Sequence, residues 1–246
     1  MALIDEQRAV LSVCFEAEPP EAALAALGNR DVWLLYRELT RDRLWREIEF
    51  ALPRACAALD RSLLERTFTQ HLDRDPPRTR FFHRVVQSFA DSALISWQAE
   101  PAVPDAVRDL LRYEAALWEV SDLEAEPAGP RVEFAFDRVP VVSSALRLLQ
   151  LSHAVHLPPE PDGHCREGEF WLCIQRGSSD ARPQTWRFNR TTFALLADFQ
   201  RADAIASESV QRVARSLGAK VTPQYVERLC ETLAQWIEVG ILLGSR

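Results

Sequence analysis

The feature that most constrains this chain is a change of hydrophobic period near residue 126. Up to that point apolar residues recur at the helical spacing of three and four. Beyond it they alternate with polar ones over short stretches, and only the last 55 or so residues return to helical spacing. Two blocks with different periods cannot share one regular layer. The expectation is α+β, as two domains covering 1-126 and 131-246. With 246 residues, 47% of them hydrophobic, the chain can bury two modest cores.

The first block reads as a helical bundle. Asp31 to Leu52 carries Leu44, Ile48, Ala51 and Leu52 on one stripe, with Arg41, Asp42, Arg46 and Glu47 between, and Pro53 ends or kinks it. Ser62 to Leu72 shows Leu64, Phe68 and Leu72, and stops before Pro76-Pro77. Phe81 to Trp97 has Phe82, Val85, Val86, Phe89 and Ala93 on its apolar face. A further helix starts near Pro104-Asp105 with Val107, Leu110, Leu111, Leu117 and Trp118. Short helices are expected around 5–15 and 21–27.

Glu124 to Pro130, with two prolines and a glycine, is the linker candidate. After it, Val132, Phe134 and Phe136 alternate and predict a strand. Residues 141–151 predict a short helix or buried segment, and Pro158 to Gly168 a polar loop. Glu169 to Arg176 and Gln184 to Arg190 predict two strands joined through Gly177-Ser178-Ser179-Asp180. Phe193, Leu196 and Phe199 mark a short helix. Ser207 is the expected cap of the next, closed by Gly218. Thr222-Pro223 starts a third that runs to Gly240, and Ile241-Leu242-Leu243 is a closing strand. Strands, three helices and a strand predict a small winged-helix-like α+β domain behind the N-terminal helical bundle.

Composition narrows the function classes. No apolar run approaches the roughly 18 residues of a membrane-spanning helix, and acids occupy the start, so no membrane role and a cytoplasmic location are expected. Five widely spaced cysteines form no CxxC pair and predict neither a disulfide framework nor a zinc ribbon. Lys220 is the only lysine, which a GC-rich genome explains as well as any function does. A net charge of -7 weighs against a nucleic-acid binder, whose affinity comes from neutralising phosphates.

Few residues suggest chemistry. His153 and His156, with His164-Cys165 and Cys173 beyond, are poorly spaced for a metal site, so neither a metal nor a cofactor is expected in this chain. GxSxG, a P-loop, GxGxxG and HExxH are all absent, and no catalytic residue is assigned. Glu114 falls on the apolar face of its helix and needs a partner if buried; Arg37 is the candidate. The segments Phe170-Trp171-Leu172-Cys173-Ile174 and Trp186-Arg187-Phe188 are the peptide-binding candidates. If either lies at a sheet edge, its unpaired backbone could accept an extended peptide as an added strand.

The order of several short motifs resembles one family. Tyr36-Arg37, Arg43-Leu44, Leu52-Pro53 and Ala58-Leu59, then Asp75-Pro76-Pro77-Arg78, resemble the opening of the HvfC/BufC N-terminal domain family, long labelled a DNA-binding domain. Leu52 stands where that family has an aromatic, and Asp75 where it has a histidine. Arg108-Asp109-Leu110-Leu111-Arg112-Tyr113-Glu114-Ala115-Ala116-Leu117 resembles its Leu-x-x-Leu-Glu-x-Ala-Leu helix, and Trp186-Arg187-Phe188, Phe193 to Leu196 and Trp236 to Leu242 resemble its tail. The wider group is similar to the MbnC and TglI accessory subunits.

The resemblance implies a partner: an MbnB/TglH-like TIM-barrel enzyme with a multinuclear non-haem iron centre. The barrel would hold the iron and oxidise a cysteine of a ribosomally made precursor peptide, while a chain like this one grips and presents that peptide. It makes the helical half the dock for the enzyme, with Tyr36, Arg37, Arg41 and Arg43 as docking candidates. The runner-up is a DNA-binding transcriptional regulator. Against it, eight basic residues face six acids from Gln184 onward.

Overall fold

The computed structural model describes residues 3–77, 82–123, 133–161, 163–176 and 182–246. It is α+β: ten helices and five strands among the described residues, the strands forming two small antiparallel sheets. The chain divides into two compact units, Met1–Trp118 and Glu119–Arg246. The expected linker over 124–130 lies outside the described residues.

The first unit is all helix: α1 (Leu3–Phe15), α2 (Glu21–Leu27), α3 (Arg30–Ala51), α4 (Pro53–Ala57), α5 (Arg61–Arg74), α6 (Phe82–Trp97) and most of α7 (Asp105–Asp122). Local chemistry sets the ends. The Asn29 side chain accepts from Val32 N at 3.4 Å to start α3, and Asp60 accepts from Ser62 N at 2.8 Å to start α5. Pro53 does not kink a continuing helix. It takes the first position of α4, where its missing N–H costs nothing, and Leu52 ends α3. The expected helix from Phe81 is seen from Phe82, position 81 being outside the described residues.

The core of this unit gathers Leu44, Ile48, Leu52, Leu64, Phe68, Leu72, Val86, Phe89, Ala93, Trp97 and Leu111, all buried. Each large side chain removed from water there contributes about 1.5–3 kcal/mol. Two of its polar members are bonded inward: Trp97 Nε1 donates to Thr67 Oγ1 at 3.1 Å, whose hydroxyl donates to Leu63 O at 2.8 Å. His71, 1% exposed, lies edge-on to Phe89 with ring centroids 5.8 Å apart.

The second unit begins with β1 (Pro140–Val142) and β2 (Leu146–His153), then β3 (Glu167–Arg176) and β4 (Pro183–Phe188). It continues with α8 (Arg190–Phe199), α9 (Ala206–Ser216), α10 (Pro223–Val239) and β5 (Leu242–Ser245). β2, β3 and β4 form one sheet in that order, and β1 pairs with β5 in another. Asn189 caps α8 by accepting from Thr192 N, Thr222 caps α10 by accepting from Tyr225 N, and Gly240 ends α10 at φ +79°. Buried Gln175 on β3 donates to Val239 O at 3.0 Å, fixing the last turn of α10 against the sheet.

Three expectations fail here. Phe134 and Phe136 are in no strand: their rings pack together at 5.4 Å, and Ser245 Oγ holds the segment by donating to Glu133 O and accepting from Ala135 N. Of the short helix or buried segment expected over 141–151, the helix is absent: Leu146–His153 is strand β2, with Leu146 and Leu151 buried, because its leucines reach both faces of the sheet. Ser207 does not cap α9. The helix starts at Ala206, with the Ser207 N–H bonded to Phe136 O at 2.9 Å. The Gly177–Asp180 connection lies outside the described residues.

Candidate peptide-docking edge

β3 is paired on both sides, with Leu172 opposite Leu149 of β2 and Arg187 of β4. It therefore offers no edge. Phe170, Leu172, Cys173 and Ile174 are buried, Trp171 is half-buried, and all five serve as interior of the sheet. Burial pushes the Cys173 thiol up to about 12, so it stays an unreactive apolar side chain at neutral pH.

β4 is different, because among the described residues it pairs only with β3. The hydrogen-bond alternation can be read from one contact: Arg176 N donates to Ala145 O at 3.0 Å, on the β2 side. Ile174, Leu172 and Phe170 then turn their backbone polar groups toward β2, and Gln175, Cys173 and Trp171 toward β4. On β4 the partners Gln184, Trp186 and Phe188 point inward. Thr185 and Arg187 turn their N–H and C=O outward, as does Pro183, which has no N–H to offer.

The aromatic residues of β4 stand behind this edge. Trp186 and Phe188, both half-buried, face the helices with Cys173, and the Phe188 ring lies 5.7 Å from that of Trp236. The Trp186 indole N–H is buried without an acceptor, which the structure does not explain. On the other face, the exposed Arg187 guanidinium lies 5.1 Å from the centre of the Phe170 ring, and that of Arg166 5.8 Å. His156 approaches the same ring at 5.5 Å; burial first, then these two arginines, hold its imidazole below the usual histidine range.

The opposite edge, β2, is partly closed. Leu146 O points away from β3, and Arg147 Nη1 donates to it at 2.7 Å while Nη2 holds Glu119 at 2.6 Å. At Arg187 of β4 no such strap is formed among the described residues, so this stretch is the edge better suited to a further strand.

The docking candidates of the first unit divide in two. Arg37 donates to Val13 O at 2.6 Å and Ala17 O at 3.0 Å, and Arg41 to Phe15 O at 3.4 Å and Thr69 Oγ1 at 3.1 Å. Both gather the carbonyls at and just beyond the end of α1, as cations at a helix C-terminus do. They tie the first unit internally. Tyr36 and Arg43 are exposed. They share a face of α3 with Val32, Leu35 and Leu39, at spacings of three, four and seven. Val32, Leu35, Tyr36 and Leu39 are 50% to 59% exposed, an apolar stripe left in water.

Glu114 does not meet Arg37. Its carboxylate accepts from Arg54 N at 3.2 Å and Ala55 N at 2.9 Å, the first-turn amides of α4. Burial pushes its carboxyl above the usual range, and those two bonds oppose the rise. Among the described residues no three or more His, Cys, Asp or Glu gather as a metal group, and no helix is long and apolar enough to cross a membrane. The sequence matches no known family model and no curated protein.

Proposed function

We propose that this chain is the accessory subunit of an iron-dependent peptide-modifying enzyme. It holds a ribosomally made precursor peptide on its second unit and presents the peptide's cysteine to an MbnB/TglH-like barrel oxygenase docked on its first. The iron belongs to that partner. The observation that carries the reading is the β4 edge, whose outward backbone groups at Arg187 stand beside half-buried aromatic residues. The second unit, with three helices packed on a small antiparallel sheet, serves in this reading as a winged-helix-like recognition module. The exposed stripe of α3 supplies apolar area for the enzyme, with Tyr36 and Arg43 at its centre and end. The resemblance of its motif order to the HvfC/BufC family points the same way.

The test is reconstitution with the neighbouring barrel enzyme and a short cysteine-bearing peptide from the same gene cluster, followed by peptide mass spectrometry. The expected result is a stable complex and a mass change on the peptide only when this chain is present. An equal yield from the barrel alone would end the proposal.

A further inference from the structure

A polar hollow of the second unit lies next to the end of β4. Asn189, the residue after Phe188, forms its rim together with Thr191 and Thr192 of α8. Across from them stand Lys220, Thr222, Gln224, Tyr225, Arg228 and Thr232, with Leu195 and Leu229 also lining the space of about 440 Å³. Two features define what it would take. Its lining includes two cations and no carboxylate, and its remaining polar groups are hydroxyls and amides. Among the described residues neither Lys220 nor Arg228 forms an ion pair, and both are exposed at the mouth. By contrast Arg212, on α9, is committed to Asp203 at 3.4 Å and Asp198 at 3.7 Å.

Position then links the hollow to the edge. Every pairing in the sheet is antiparallel. A strand added to β4 in the same sense has its N-terminal end beside Phe188, and the residues preceding it arrive at Asn189 and the hollow. We infer that this hollow is a carboxylate-binding subsite that receives an Asp or Glu of the precursor peptide, placed just N-terminal to the segment that pairs with β4. The inference rests on the peptide-docking reading above. The subsite would set the register of the peptide: backbone pairing alone is indifferent to slippage by two residues, whereas a charge held at one end is not.

The experiment is selection of a displayed library of random peptides, about twelve residues long, on the full chain and on two variants. On the native chain, enriched peptides carry an alternating β-branched run with Asp or Glu within about three residues before it. On the Lys220→Glu/Arg228→Glu double variant the alternating run persists, the acidic preference is lost, and synthetic copies of the acidic peptides bind about tenfold more weakly. On Arg187→Pro, which removes an outward N–H without touching the ladder to β3, enrichment of alternating runs disappears, whereas Arg187→Ala retains more binding than Arg187→Pro. Alternating runs that depend on Arg187 but show no acidic preference, or a preference unchanged by the charge reversal, overturn the subsite alone. Absence of alternating runs, or their indifference to Arg187→Pro, overturns the docking edge and the subsite with it.

Discussion

The two units of this molecule leave opposite kinds of surface unsatisfied. In the first, the informative charged groups are used internally: Arg37 and Arg41 hold the carbonyls that end α1, and Glu114 holds the amides that begin α4. Among its solvated ion pairs, a large set of apolar side chains is left outside. Leu3, Ile4, Leu11, Val32, Leu35, Tyr36, Leu39, Phe50 and Ile95 are exposed there, against Phe136, Leu157, Val221 and Val226 in the second unit. In the second unit Phe188 and Phe199 are drawn inward around Trp236, with Trp186 packed on the same core, and backbone groups and cations are left at β4, Lys220 and Arg228. An apolar face suits a lasting contact with another folded protein, because burying it in a well-packed interface is the favourable step. A polar edge with spare charges suits a ligand that must come and go.

The sharpest way to break this contrast is at Glu114. Glu114→Ala leaves the Ala55 N–H, a buried donor, without its acceptor, and should cost about 2–3 kcal/mol in urea unfolding. A loss below about 0.5 kcal/mol would mean that the charge is not an internal brace. Second in size, Leu39→Glu on the exposed stripe should leave stability within about 0.5 kcal/mol. It should weaken the complex with the barrel enzyme about thirtyfold by size-exclusion or interferometric titration. Unchanged affinity would put the dock elsewhere.

A pH series comes next. Burial holds His71 below the ordinary histidine value of 6.5, with Asp75 opposing the shift. Below pH 6.5 the unfolded chain therefore takes up the proton first. Stability present above 6.5 is lost as pH falls toward the folded value, and His71→Leu should flatten that part of the profile. Glu114 acts with the opposite sign. Its folded value is raised from 4.5, so the stability it gives below 4.5 is lost as pH rises through the folded value, and Glu114→Gln should reduce that slope. The smallest effect is expected at Arg228→Ala: a stability change within about 0.5 kcal/mol, since its charge forms no ion pair among the described residues. A loss above about 1 kcal/mol would show the hollow to be structural.

Much of the fold was legible because helices announce which residues share a face. Leu44, Ile48 and Ala51 of α3, and the caps at Thr222 and Gly240, follow from spacing and backbone preference alone. The same spacing misleads where a helix has two apolar stripes. Val32, Leu35, Tyr36 and Leu39 repeat at three, four and seven as a core face does, and only the packed chain shows them outside. Glu114's burial could be read from its helix, but its partners could not: they are backbone amides of residues 59 and 60 positions away, which no side-chain pattern encodes. Strand order was equally silent. Phe170 to Ile174 and Trp186 to Phe188 have similar textures, yet one is the centre of the sheet and the other its edge. The hollow at Lys220 and Arg228 was missed because its walls come from two helices and the loop between elements. A cue was available in the one lysine of the chain lying two residues before the cap of α10.

The most direct test of the account is amide hydrogen exchange on the full chain with and without the precursor peptide. Added peptide should slow exchange on β4, at Arg187 above all, while the β2 edge strapped by Arg147 exchanges as before. Protection appearing along β2, or no change on β4 at saturating peptide, would contradict it.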